Sequence, residues 1–107
     1  MAGRKKKVPL VRHKGQWTGE TQEYGRVAVI HHSLYRPGEL YRQDKGKLKR
    51  QRDWEEAVRS NEVVAMQKDK PGTLEADGYV ALWRRSEIVE DETQIMFKLV
   101  DRLENIG

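Results

Sequence analysis

The chain of 107 residues contains no cysteine. Without thiols it cannot form disulfides, thiolate nucleophiles, or zinc and iron–sulfur sites with cysteine ligands. It also lacks any apolar run near the roughly 18 residues that a membrane helix needs. The apolar stretch 8–11 is too short to follow the basic N-terminus as the second region of a signal peptide. We therefore expect a cytoplasmic protein with no membrane partner.

Apolar residues are scarce and charged residues are abundant. Each class makes up 36% of the chain, whereas globular domains average about 45–50% apolar residues and about 25% charged ones. The three Trp, four Tyr and one Phe nevertheless argue for a folded core, because disordered chains are poor in aromatic residues. The length suits one domain. We predict a flexible basic tail over residues 1–7 and a single domain over 8–107.

Local patterns predict a small number of strands. The β-branched run 26–32 and the apolar run 78–85 are typical of buried strands. Residues 8–12 predict a short edge strand, where Pro9 is tolerated because an edge N–H faces solvent.

Turns and loops are predicted between these strands. Pro-Gly pairs within 36–39 and 70–73 are typical of tight turns, since Pro presets φ and Gly accepts a positive φ. The polar, glycine-containing stretch 14–25 predicts a loop around Trp17.

The segment after residue 52 is typical of a helix. Asp53 is the predicted N-cap, and Trp54, Ala57 and Val58 fall on one face at helical spacing. This helix ends near residue 60 and is followed by a strand over 62–66, or it continues to about residue 66. We favour the shorter helix.

The C-terminal segment allows two interpretations. The favoured one is a helix beginning at Asp91 with Met96, Leu99, Val100 and Leu103 as its buried stripe. The alternative is a strand over 95–100 that pairs with the strand at 78–85. With the other elements, the favoured interpretation predicts the α+β class: a small, mostly antiparallel sheet of about three to five strands with one or two helices.

Side chains suited to catalysis are few. His31 and His32 adjoin each other, and neighbouring residues on a strand point to opposite faces, so we do not expect them to chelate one metal ion. Ser33, Ser60 and Ser86 lack the glycine-flanked pattern of an activated serine. We therefore predict no catalytic residues, metal site or cofactor, and a protein that is not an enzyme.

Charge is distributed unevenly. Residues 1–53 hold 14 Lys/Arg and 5 Asp/Glu, a net charge of +9, and residues 54–107 hold 7 and 12, a net charge of −5. Such asymmetry is typical of proteins with a polyanionic partner. Cations neutralise phosphates, and interleaved aromatics stack on unpaired bases. The predicted nucleic-acid-binding residues lie in the tail and in a basic loop over 36–52: Arg4, Lys5, Lys6, Lys7, Arg12, Lys14, Tyr35, Arg36, Tyr41, Arg42, Lys45, Lys47, Lys49, Arg50 and Arg52.

The leading hypothesis is a non-catalytic protein that binds the phosphate backbone of DNA or RNA. The alternative is an adaptor or inhibitor with a protein partner, such as phages and mobile elements encode. In that case the acidic residues between Glu87 and Glu92 would dock a basic partner.

Overall fold

The computed structural model describes residues 7–13 and 15–106. Residues 1–6 of the predicted tail, and Lys14, lie outside the described residues, so the predicted contacts Arg4, Lys5, Lys6 and Lys14 do too. The regular elements are β1 (Lys7–Val8), β2 (Val11–Arg12), β3 (Thr18–Thr21), β4 (Gly25–His31), a 3-10 turn (His32–Leu34), β5 (Tyr41–Asp44), α1 (Lys49–Ser60), β6 (Val63–Asp69), β7 (Ala76–Arg85), β8 (Val89–Glu90), β9 (Gln94–Phe97) and β10 (Leu99–Ile106).

The main sheet is curled, and its two edge strands, β1 and β2, are consecutive in the chain. Its seven strands are ordered β1-β10-β7-β6-β4-β3-β2, and a second sheet is ordered β5-β9-β8. The edge strands β1 and β2 are separated only by Pro9 and Leu10, so residues 7–12 bridge β10 on one side and β3 on the other. Pairing is antiparallel except between β1 and β10 and between β4 and β6.

The predicted α+β class is wrong, because the described part of the chain is mostly β and forms a large mixed sheet. The predicted helix from Asp91 is replaced by β9 and β10. Val100, assigned to its buried stripe, is 53% exposed. The alternative, a strand over 95–100 paired with 78–85, has the correct conformation. Its pairing is correct for β10, which pairs with β7, but wrong for β9, which pairs with β5 and β8. These long-range ladders override the helical spacing of the apolar residues.

Most of the other local predictions are confirmed. The strands at 26–32 and 78–85 are present as β4 and β7, and both turns close with hydrogen bonds from Glu39 N–H to the Arg36 carbonyl and from Thr73 N–H to the Lys70 carbonyl. The predicted loop over 14–25 is wrong in part, because it contains β3.

Helix α1 begins at Lys49 instead of following Asp53. The Leu48 N–H is satisfied by Oε1 of Gln51 at 3.1 Å, and the Asp53 carboxylate accepts from Lys49 Nζ at 2.7 Å. The helix ends at Ser60, and β6 follows, which confirms the shorter helix and the strand after it.

Two apolar clusters lie on opposite faces of β4 and β6. Val27, Val29 and Ala65 pack with Leu82 of β7 inside the curled sheet. The alternate residues of β4, Ala28 and Ile30, pack against α1 and the second sheet. Burial on both faces explains why β4 and β6 are continuously apolar.

Gly19 lets the N-terminal segment close the sheet. A Cβ at this position would lie 3.0 Å from Leu10 Cδ1 and 3.2 Å from the Val11 carbonyl oxygen. A side chain at this position would therefore require Leu10 and the backbone of β2, which carries Arg12, to move by a few tenths of an ångström.

Trp54 anchors α1 to the sheet and should dominate the stability of the core. Its side chain is 1% exposed, and its Nε1–H donates to the Val29 carbonyl at 2.9 Å. By contrast, Trp17 and Trp83 are half-buried.

We expect Trp54→Ala to lower the free energy of unfolding by about 3–5 kcal/mol in a urea titration, and the substitution of the exposed Val89 by Ala to change it little. Equal effects of the two substitutions would contradict this assignment.

Candidate binding site at one end of the curled sheet

Polar side chains replace the apolar interior where the parallel strands β4 and β6 end. Along the interior face of β4, Val27 and Val29 are followed by His31, and along β6, Val63 and Ala65 are followed by Gln67. His31 lies opposite Gln67 in the ladder. Because parallel strands end at the same edge, this register gathers the polar residues at one mouth of the sheet.

The Asp69 carboxylate is the centre of this polar group. Its side chain is 1% exposed and it accepts hydrogen bonds from Ser33 N–H at 3.1 Å and Ser33 Oγ at 2.6 Å. It also accepts from Gln67 Nε2 at 2.7 Å and contacts His31 Nδ1 at 2.9 Å. Burial raises the pKa of Asp69, but the hydrogen bonds from Ser33, Gln67 and His31 outweigh it and hold the pKa well below its usual value.

These contacts determine the tautomer of His31. The two amide hydrogens of Gln67 are directed to Asp69 Oδ1 and, at 3.0 Å, to the Leu74 carbonyl. Gln67 Nε2 also lies 3.0 Å from His31 Nδ1, but both of its hydrogens are used by these oxygens. Because the Asp69 carboxylate can only accept, Nδ1 of His31 carries a proton and donates to it at 2.9 Å. Nε2 of His31 is left without a hydrogen-bond partner among the described residues.

His32 also contacts Asp69. Its Nδ1 accepts the backbone N–H of Asp69 at 2.9 Å, so its proton lies on Nε2. The expectation that His31 and His32 point to opposite faces is wrong, because β4 ends at His31 and a 3-10 turn begins at His32. Within 7–13 and 15–106, no cluster of three His, Asp or Glu residues has the geometry of a metal site.

Gln67 links the carboxylate to Arg12 of β2. The Arg12 guanidinium donates to Gln67 Oε1 at 2.8 Å and to the Gln16 carbonyl at 3.3 Å, and it lies 3.5 Å from the Tyr79 hydroxyl. All of these acceptors are neutral. Arg12 is absent from the ion pairs formed within the described part of the chain.

Two adjoining spaces open at this end of the sheet. The inner pocket has a volume of about 110 Å³ and is lined by Arg12, Trp17, Val29, His31, Leu34, Gln43, Gln67 and Leu74. The outer depression has a volume of about 350 Å³ and is lined by Arg12, Gly15, Gln16, Trp17, Arg50, Ala76 and Tyr79. Arg12 and Trp17 belong to both. The guanidinium of Arg50 lies over the Trp17 ring, 5.4 Å from its centroid.

The structure brings only some of the predicted nucleic-acid contacts to this site. Arg12 and Arg50 line the outer depression. Four further cations are exposed and absent from the ion pairs of the described residues: Arg36, Arg42, Lys47 and Arg52. Lys7 begins the edge strand β1, where it pairs with Asn105.

Two predicted lysine contacts are neutralised within the chain. Lys45 Nζ lies 2.8 Å from Glu90 Oε1, and Lys49 Nζ lies 2.7 Å from Asp53 Oδ2. The predicted basic loop is itself part strand and part helix, since 36–52 contains β5 and the start of α1.

The predicted stacking of Tyr41 on bases is wrong, because Tyr41 is 2% exposed and belongs to the core. Its ring stacks on Phe97 at 5.5 Å, and burial raises its pKa to about 12. Tyr35 is half-buried against Trp83, with 5.5 Å between their ring centroids. The aromatic residues at the site are instead Trp17 and Tyr79, neither of which was among the predicted nucleic-acid-binding residues.

The acidic residues near Glu90 serve internal contacts. Glu90 lies 3.0 Å from Arg59 as well as pairing with Lys45, and hydrogen bonds from these two cations lower its pKa to about 2. Asp91 Oδ1 accepts the N–H groups of Thr93 and Gln94 at 2.8 Å and so shapes the turn before β9.

Comparison with known proteins assigns no function: no family model matches the chain, and no curated protein or solved structure is significantly similar to it. In the part of the chain that the structure describes, no helix combines the length and the apolar character needed to cross a membrane.

The low pKa of Asp69 predicts how acid destabilises the protein. A carboxylate with a lowered pKa stabilises the fold above its unfolded-state pKa of about 3.9, and that contribution is lost as the pH falls towards the folded-state pKa. Asp69→Asn should lower the free energy of unfolding at pH 7 by about 2–4 kcal/mol, since it leaves donors unpaired. It should also flatten the fall in stability below about pH 4.

Urea titrations from pH 2 to pH 7 measure both effects. The exposed Asp77→Asn is the control and should leave the curve unchanged. An Asp69→Asn curve parallel to that of the wild type would show that Asp69 does not carry the acid sensitivity.

Proposed function

We propose that the protein binds nucleic acid without catalysing a reaction, and that the outer depression holds the phosphate backbone. The observation that carries the proposal is the placement of Arg12 and Arg50 in one depression without a carboxylate partner among the described residues. An unneutralised pair of guanidinium groups favours an anionic ligand.

The surroundings of Arg12 strengthen this electrostatic argument. The guanidinium is half-buried and its hydrogen bonds all go to neutral oxygens. Asp69, which carries the negative charge of the site, is separated from Arg12 by the Gln67 side chain. Arg12 therefore has no carboxylate in direct contact and can bind a phosphate in the outer depression.

The first turn of α1 adds positive potential beside the depression. It contains no acidic residue, and its Arg50 and Arg52 are absent from the ion pairs of the described residues, whereas its Lys49 pairs with Asp53. Cations at a helix N-terminus destabilise the helix, because they add to the positive end of its dipole. A bound phosphate relieves this repulsion, so the arrangement suits a protein whose ligand is an anion.

The aromatic residues favour single-stranded over duplex nucleic acid. Trp17 and Tyr79 share the depression with the two arginines, and stacking on such rings requires an unpaired base with a free face. Arg50 covers one side of Trp17 and holds the indole in place.

The proposal extends to a cytoplasmic site of action, in line with the absence of cysteine. A protein partner for the acidic residues is less well supported, because Glu90 and Asp91 already serve internal contacts.

Removing Arg50 should weaken binding of a single strand and reduce its salt dependence. If Arg50 contacts one phosphate, Arg50→Gln should reduce the slope of log affinity against log salt by about 0.7. Fluorescence anisotropy with labelled oligonucleotides of unrelated sequence measures the slope, and the loss should be similar for each sequence.

Lys98→Gln is the matched control, since Lys98 is exposed between β9 and β10 and lines neither space. It should leave the slope nearly unchanged. Failure of the wild-type protein to bind any DNA or RNA at about 50 mM salt, where phosphate contacts are strongest, would refute the proposed function.

A further inference from the structure

We propose that the inner pocket receives the base of one unpaired nucleotide, whose phosphate lies in the outer depression. This inference rests on the proposed function and adds a base-binding site to it. The juxtaposition that supports it is the sharing of Arg12 and Trp17 by the two spaces. These two shared side chains place the inner pocket directly beside the outer depression.

The size and lining of the inner pocket suit a single planar ring. Its volume is about 110 Å³, whereas pockets for drug-sized ligands enclose roughly 300–1,000 Å³. Trp17, Val29, Leu34 and Leu74 provide apolar walls. A nucleobase has apolar faces that such walls can cover.

The polar side chains of the pocket can hydrogen-bond the edge of a base. Among the described residues, the amide of Gln43 has no hydrogen-bond partner and offers both a donor and an acceptor. Nε2 of His31 is likewise unpaired and, in the tautomer set by Asp69, is an acceptor. Nucleobase edges present alternating donors and acceptors, which glutamine amides recognise in a bidentate manner.

Hydrogen bonds within the chain hold the polar side chains of the site in place. Asp69 holds His31 at 2.9 Å, and Gln67 is held between Asp69 and Arg12 at 2.7 Å and 2.8 Å. Polar groups that are fixed in advance reduce the entropic cost of binding. The buried Asp69 network thus has a function in this proposal: it positions His31 and Gln67 at the pocket.

The test compares a labelled single-stranded DNA with an abasic strand of the same length and charge. Both present the same phosphates, but only the first offers bases. By fluorescence anisotropy at low salt, we expect the wild-type protein to bind the base-containing strand about tenfold more tightly. Gln43→Ala and the pocket-filling Leu74→Trp should remove most of this preference and leave the affinity for the abasic strand unchanged.

Gln22→Ala is the matched control, because Gln22 is exposed in the turn after β3 and does not line the inner pocket. It should retain the full preference. Thermal melting of each variant establishes that it is folded, and Gln43→Ala tests the proposal even if Leu74→Trp does not fold.

The outcomes separate the two proposals. Equal affinity of the wild type for both strands would overturn the base pocket and leave phosphate binding intact. A preference for bases that both pocket variants retain would also overturn it, since the bases would then bind elsewhere. Binding of neither strand would refute the proposed function together with this inference.

Discussion

β4 and β6 pair in parallel, with Ala28 opposite Val64 and His31 opposite Gln67, and the rest of the structure is arranged around this pair. Each strand is buried on both faces, so the pair separates the interior of the curled sheet from the core beneath α1. Because parallel strands end at the same edge, their polar C-terminal residues meet there. The crossover between them contains α1, which Trp54 fastens to the Val29 carbonyl.

The buried carboxylate of Asp69 makes this edge rigid. Removing a charge from water costs several kcal/mol unless hydrogen bonds compensate it, and here the bonds come from Ser33 of the 3-10 turn and from His31 and Gln67 of the two strands. One side chain thereby fixes three segments relative to each other. Gln67 then extends the network to Arg12, which carries it to the edge of the curled sheet.

Folding changes how the charge of the chain is distributed. In the sequence the basic and acidic residues occupy different halves, but Glu90 of the acidic half pairs with Lys45 of the basic half. Lys49 pairs with Asp53 within the basic half itself. The positive charge that these two lysines contribute to the net +9 of residues 1–53 is therefore neutralised by neighbouring carboxylates in the folded chain.

The sequence by itself determined the features that depend on neighbouring residues. The β-branched run at β4, the Pro-Gly turns, the apolar β7 and the end of α1 at Ser60 all follow from local conformational preference. The predicted N-cap at Asp53 was wrong because α1 starts one turn earlier, where Gln51 satisfies the Leu48 N–H. The C-terminal helix was wrong because the segment allows both patterns: Met96, Leu99 and Leu103 fit a helical stripe, and Ile95, Phe97 and Leu99 alternate as in a strand.

Only the tertiary structure decided where the chemistry lies. His31 was visible as a candidate, but its partner Asp69 is 38 residues away in the chain, and Arg12 and Gln67 are separated by 55 residues. Tyr41 looked suited to stacking until the pairing of β5 with β9 placed it against Phe97. Local patterns report the conformation of a segment and the short turns that join neighbouring strands, whereas pairing between strands far apart in the chain, such as β4 with β6 and β5 with β9, brings distant side chains together.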